Sequence, residues 1–555
     1  MRGGRASAPI LGGVSVGRWD AMRAAVIRDV RWPAGTDRLD VWILDGRIAA
    51  VLPHEASGAG EAALAVVPAG VDVPDDAVVE VWQGRGRVVI PGLWDEHTHF
   101  RQWALSRRRL DLSGADSAQD AAARVAAALG SRTGPAGVRF DGAGFRDALW
   151  ADEPTTAMLD AVSTETPIVL ISADLHCGWM NSAGLRSMGL DEEATGPVRE
   201  DDWIPHLDRL ALDDAHTLPA LAEAAAAAAA RGVVGVVDME TDDNVRLWPE
   251  RVEAGVTSLR VEAAVWAHQL DEAVAAGRRT GQLLGASGRR PAGDEPDALV
   301  SVGPMKVIVD GSLNTRTAFC FDRYAGLADG DPDPHGYLAV TPEELLELLG
   351  RAIAAGFVPA VHAIGDRANR LVLDAYETLR DAGTAVAGSR IEHAQLLADE
   401  DIPRFAELGV IASVQPEHAM DDRDVSDQYW PGQAERSIPV RSLVDAGATV
   451  RFGSDAPVAP LDPWTAIAAA VTRSRDGRPP WGADQRIGRR AAIAAAARGR
   501  ESLEAGAVAD LVLLDADPVE CDEATLREMP VALTLLAGRP TWATETSSTV
   551  PPARA

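Results

Sequence analysis

Six side chains able to hold a divalent metal fall, in chain order, at or near the ends of segments that read as β-strands. His97 and His99 stand in Pro91-Gly-Leu-Trp-Asp-Glu-His97-Thr-His99-Phe100. A spacing of two on an extended segment puts both imidazoles on one face. Two nitrogen donors converging on one point suit a divalent cation such as zinc. His362 ends Val358-Pro-Ala-Val-His362, His393 ends Arg390-Ile-Glu-His393, and Asp455 ends Val450-Arg-Phe-Gly-Ser-Asp455. Singly, each has a bland alternative: two unrelated histidines, a satisfied core histidine, or a cap or turn aspartate. Together, with Lys306, they sit around one mouth, which makes coincidence a poor explanation.

Lys306 lies in the apolar run Val302-Gly-Pro-Met-Lys306-Val-Ile-Val-Asp310. The chain holds 53 basic residues, and this is its one lysine. A chain of this length ordinarily carries roughly 30. Arginine replaces lysine wherever charge alone is needed, but it stays protonated and cannot become a neutral nucleophile. A neutral lysine amine can take up CO₂ as a carbamate, a two-oxygen bridge for two metals about 3.5–4 Å apart. The bland alternative is that a last lysine had to stand somewhere.

The positioning elements alternate. Strands are expected at 88–94, 233–238, 259–265, 303–310, 357–362, 390–393, 410–415 and 449–455. Helical patterns are expected at 218–231, 270–284, 342–355, 367–381, 400–408 and 439–446. Eight strands with intervening helices predict an α/β chain folded as a (β/α)8 TIM barrel over 91–489, with the site at the C-terminal strand ends. The gap after the first strand is too long for a loop and predicts an inserted subdomain over about 105–216. Short strands at both chain ends, 23–90 and 490–543, predict one composite β-sandwich. Residues 1–22 and 544–555 read as a disordered lead-in and tail.

Composition narrows the partners. The formal charge of −30 argues against nucleic acid and anionic membrane surfaces. Three scattered cysteines give no disulfide framework and fit a reducing, cytoplasmic compartment. No apolar run reaches the roughly 20 residues of a membrane span. A small molecule is the expected partner, and a homodimer is compatible.

On these residues the chain resembles the amidohydrolase superfamily. The match is to amidohydrolase family 3, the YtcJ-like branch that includes N-substituted formamide deformylases. The segments from Pro91 to His99, Val309 to Ser312, Arg316 to Ala318, His362 to Asn369, Ile391 to Ala394, Gln415 to His418 and Gly453 to Asp455 are similar to its motifs, in order. His176-Cys-Gly-Trp-Met-Asn181-Ser is similar to a branch motif in the insertion. Leu503 to Leu511 is similar to the closing sandwich motif, with Ala507 where lysine is usual.

The resemblance implies one or two zinc ions, or another divalent metal. His97 and His99 would bind the more buried ion, and Lys306, carboxylated to a carbamate, would bridge. His362 and His393 would bind the second. Asp455 would ligate and carry the proton from an attacking water to a leaving nitrogen. Lys306 and His418 would join Asp455 in the catalytic set, and His176, Asn181, Arg316 and His418 would orient the substrate. The expected activity is hydrolysis of a carbon–nitrogen bond other than a peptide bond, with an N-substituted formamide as one candidate substrate. Ester or lactone hydrolysis, isomerisation, decarboxylation, or a non-catalytic binding role on the same scaffold are the competing readings.

Overall fold

Eight parallel strands ring the centre of the protein in this computed structural model: β1 (Leu93–Thr98), β2 (Val233–Asp238), β3 (Arg260–Trp266), β4 (Val300–Ile308), β5 (Pro359–Ala363), β6 (Arg390–His393), β7 (Ile411–Val414) and β8 (Val450–Phe452). The structure describes residues 24–554 apart from 55–64, 68–70, 72, 74–77, 132–137, 192, 207–213, 286–297, 328–329 and 551. The expected lead-in at 1–22 lies outside the described residues. Helices α1 (Asp214–Ala229), α2 (Asn244–Glu253), α3 (Leu270–Ala275), α4 (Pro342–Ala354), α5 (Asp366–Asp381), α6 (Ile402–Leu408), α7 (Val440–Asp445) and α8 (Pro463–Thr472) follow the strands in turn. This is the expected TIM barrel.

Local chemistry explains the helices that pack on it. Thr341 caps α4 by accepting from the Glu344 N–H, Glu344 closes a capping box, and Pro342 opens the first turn. Leu345, Leu349 and Ala352 then recur on one face and are buried against the barrel.

Closure between β8 and β1 runs past the end of β8. Asp455 N donates to His97 O at 2.7 Å, and His99 N donates to Ala456 O at 2.8 Å. Buried Asp95 accepts from Ser454 N at 2.9 Å and from His97 N at 3.2 Å, so one carboxylate ties both segments.

Two further layers flank the barrel. A five-stranded sheet (Ala24–Val30, Leu39–Leu44, Arg47–Pro53, Val79–Gln83 and Ser548–Val550) faces a four-stranded one (Val88–Pro91, Leu511–Leu514, Val531–Leu536 and Arg539–Ala543). Ile27, Val41, Trp82, Leu511, Leu513 and Leu533 meet between them. The insertion forms its own sheet of Leu110–Asp111, Phe140–Phe145, Ile168–Ser172, Cys177–Met180 and Val198–Arg199.

Three sequence expectations are corrected, and one helix had not been expected. The strand expected at 88–94 is two strands in two sheets. Val88–Pro91 pairs with Leu511–Leu514, whereas Leu93 pairs with Val233. Gly92 marks the break, because a Cβ there would lie 2.5 Å from Val234 Cγ1. The helix expected at 270–284 stops at Ala275, since Gly277 and Gly281 adopt positive φ. Helix α2 gave no clear helical pattern because it carries Pro249 and half of its residues are polar. The tail is not structureless: Ser548–Val550 pairs with Val79–Val81, and Pro552–Arg554 with Ala65–Val67.

Gly453 sits at the closure, where a Cβ would lie 2.7 Å from His97 N. Backbone on one side leaves nothing flexible to move. Gly453→Ala is expected to destabilise the fold by about 1–3 kcal/mol, read as a lowered melting temperature. An unchanged melting temperature would show that β8 and β1 tolerate separation.

Candidate metal centre and active site

Strand ends bring His97, His99, Lys306, His362, His393 and Asp455 to the wall of one cavity. Each arrives by a local device. On β4, Lys306 and Ile308 face the cavity while Met305 and Val307 pack outward in the main core. On β6, alternation would turn His393 away from the side that Glu392 occupies. Left-handed backbone at His393 (φ 71°) and Ala394 (φ 42°) breaks that alternation, and the imidazole reaches the cavity. Asp455 is also left-handed, at φ 57°. Non-glycine residues rarely adopt this conformation, and such strain concentrates at functional sites.

The donors are close and dry. One ligand atom from each of His97, His393 and Asp455 lies within 4.8 Å of the others. Asp455 Oδ1 is 3.5 Å from His97 Nε2 and 3.4 Å from His99 Nε2. Lys306 Nζ is 3.4 Å from His97 Nε2. The His362 and His393 rings are 4.4 Å apart between centroids. On the far side of its ring, His97 Nδ1 is 2.8 Å from Glu392 Oε2.

Electrostatics suits cation binding. Burial pulls His97 down to about 4, with Lys306 adding to the effect. Burial and neighbouring cations hold His362 and His393 well below the ordinary range, so their nitrogens keep free lone pairs. Burial opposes charge on Asp455, but His97 and the other imidazoles hold it well below the usual carboxylate range. Burial brings Lys306 down to about 8 against the pull of Glu392 and Asp455.

His99 Nδ1, His362 Nε2 and His393 Nδ1 are buried with no hydrogen-bond partner. Orphaned ring nitrogens are costly to leave unmade. At His362 and His393, beside a carboxylate and an amine, they fit a divalent metal.

The remaining candidates divide. His176 and His418 line the cavity. His176 Nδ1 is 2.7 Å from Glu200 Oε2. Burial disfavours its charge, yet Glu200 and Asp174 raise it to about 9. The His418 ring stacks on His393, with its buried Nε2 unpartnered.

Asn181 and Arg316 are not brought there. Asn181 is fully buried as the N-cap of helix Ser182–Met188, where its Oδ1 accepts from Gly184 N and Ile168 N. Its Nδ2 donates to Ser163 O and Thr166 O, so all its capacity goes to folding the insertion. Arg316 is exposed and lies over the Tyr429 ring at 5.4 Å. Trp103, Trp179 and Trp430 pack in buried cores, and Trp266 lines the cavity instead.

Sequence reasoning passed over Glu392, Asp174 and Glu200. Charges inside a strand, Arg390 and Glu392, are a readable signal. Glu200 gave none, being 24 residues from His176.

A model of the amidohydrolase family matches residues 82–542. The chain belongs to the amidohydrolase family. It is a metal-dependent hydrolase by that membership. It is 28% identical over 509 residues to the N-substituted formamide deformylase of Arthrobacter pascens, covering 84% of this chain and 90% of that one. It is 29% identical over 426 residues to Protein LONG AFTER FAR-RED 3 of Arabidopsis thaliana, covering 70% and 69%. Its fold is similar to that of an uncharacterized metal-dependent hydrolase from Pyrococcus horikoshii, with a TM-score of 0.68, 23% identity, and coverage of 91% and 99%.

The His176–Glu200 pair predicts a pH response in metal-free protein. His176 rises from 6.5 to about 9, so its contribution is full below 6.5 and is lost through 9. Glu200 falls from 4.5 to about 2 as its histidine partner outweighs burial, so its contribution is full above 4.5 and is lost through 2. The melting temperature should decline between pH 6.5 and 9, and His176→Gln should flatten that decline. Equal slopes in both proteins would assign the decline to another group.

Proposed function

We propose that this protein hydrolyses a carbon–nitrogen bond, of the amide type and outside peptides, in a small molecule. The observation that carries the reading is the convergence of Lys306, Asp455 and four histidines, all buried except half-buried His99, on one cavity. A bound divalent cation supplies Lewis acidity and lowers the pKa of water.

The chain's own groups do the rest. Lys306, with its pKa near 8, keeps a neutral fraction at physiological pH that can add CO₂ and become a carbamate. The addition forms an N–C bond and releases a proton, turning a cation into an anionic ligand. Asp455, ionised and beside both His97 and His99, accepts the proton of the attacking water and returns it to the leaving nitrogen. His176, held as a cation by Glu200, is placed to offset negative charge growing on the carbonyl oxygen. Leu175, Ile204, Trp266, Ile308 and Val458 give the cavity apolar walls, which favour an uncharged substituent on the substrate. An N-substituted formamide has this character, and the Arthrobacter relative carries that activity in its name.

Elemental analysis of protein purified without chelator is expected to find close to two divalent ions per chain, falling sharply in Lys306→Arg. One ion in both proteins would remove the carbamate bridge. Asp455→Asn should retain metal and lose kcat by roughly 10²–10⁴-fold on whichever probe of a matched formamide, acetamide, ester and lactone panel turns over. Full activity in that variant would sink the proton-carrier role. Turnover of esters alone would overturn the choice of bond.

A further inference from the structure

Beneath the cavity the barrel interior is filled by charge. Glu96, Glu262, Glu392, Arg390, Arg451 and Arg498 meet there, three carboxylates against three guanidinium groups. Arg390 is the hub. Its Nε donates to Glu392 Oε1 at 2.8 Å and its Nη1 to Glu96 Oε2 at 2.8 Å. Its Nη2 donates to Glu96 O at 2.8 Å and Ser413 Oγ at 3.1 Å.

A largely buried, charge-balanced network of this kind is no stability argument by itself. Glu96, Arg390 and Glu392 are buried and the other three partly so, and desolvating such charges costs more than their attraction reliably returns. Its connection upward is more informative. Glu392 divides its two oxygens, one to Arg390 and the other to His97 Nδ1 at 2.8 Å. Glu392 is 0% exposed and His97 1% exposed, so water cannot replace either bond. An ionised carboxylate can only accept, which makes His97 Nδ1 the protonated nitrogen and leaves the Nε2 lone pair toward Lys306 and Asp455.

We propose that Glu392, gripped by Arg390, is a positioning residue for the metal centre that fixes the tautomer and ring orientation of His97. The inference rests on the metal-centre reading above. Carboxylates in this relation to a metal-binding histidine raise its basicity as well as orienting it. The barrel floor then acts on the site through one side chain, and the buried charge is retained for that purpose.

The test uses metal-stripped full-length protein and zinc alone. Glu392→Gln offers one oxygen where two donors need acceptors. Glu392→Asp keeps the charge for Arg390 but shortens the reach to His97. Each is expected to weaken zinc binding about 10–100-fold in competition with a chromogenic chelator, and to shift the visible absorption of the cobalt-substituted protein. In a His97→Ala background, adding Glu392→Gln should change zinc affinity no further. Wild-type affinity and an unchanged cobalt spectrum in folded variants would overturn the proposal. So would a full additional loss in the His97→Ala background, or failure of both variants to fold, which would assign Glu392 to the barrel floor. Wild-type protein that binds no zinc would overturn the metal-centre reading itself, a separate result.

Discussion

The stitch between the two ends of the barrel is the constraint on which the site depends. His97 and His99 leave the first strand and Asp455 follows the eighth, so nothing in the chain keeps them near each other until the sheet closes. Asp455 N on His97 O and His99 N on Ala456 O make that closure. Asp95 secures it from below by accepting from both segments. Burial pushes Asp95 up to about 7, while the donors from Ser454 and His97 stabilise its ionised form. The same few bonds therefore decide both whether the barrel is a ring and whether an aspartate meets two histidines.

Once closed, the site's charges become mutually conditional. Burial holds His362 and His393 neutral, with neighbouring cationic groups adding to it, whereas Asp455 keeps its charge against burial through His97 and the hydrogen bond from His99. Lys306 would titrate as an ordinary ammonium on a surface, and burial brings it down to about 8, where a neutral fraction appears near neutral pH. Shifted groups gathered in one cavity in this way are the pattern that joint chemistry, rather than folding, calls for.

The barrel was readable because its signals are periodic and local. Apolar strands alternate with capped amphipathic helices such as Pro342–Ala354, and every expected metal-holding residue lies within three residues of the C-terminal end of a barrel strand. What escaped is what local patterns cannot carry. The division of 88–94 into two strands depends on contact between Gly92 and Val234, 142 positions away by subtraction of their numbers. Asn181 read as a substrate contact because its motif is shared with a family. Its four hydrogen bonds, to Gly184, Ile168, Ser163 and Thr166, place it instead at the foundation of the insertion. Motif membership marked it as required without saying whether for folding or for binding, and only the neighbours separate the two. Glu200 and Asp174 lay beyond reach because their partners come from another subdomain.

Those two residues explain why the insertion is built as a folded unit rather than a loop. Glu200 takes hydrogen bonds from Thr315 and Thr317, and Asp174 takes one from Ser312, all on the segment that leaves β4. That is the strand of Lys306. His176, whose own Nδ1 is held by Glu200, is thereby referenced to the same strand as the lysine, although more than a hundred residues separate them. A flexible loop could deliver an imidazole to the cavity only by surrendering entropy at each encounter. A sheet-backed insertion clasped by two carboxylates has made that sacrifice on folding, so the cation above the cavity and the amine within it keep a fixed relation. The geometry of the cavity is thus set jointly by barrel and insertion, and the clasp shapes it as fully as the strands do.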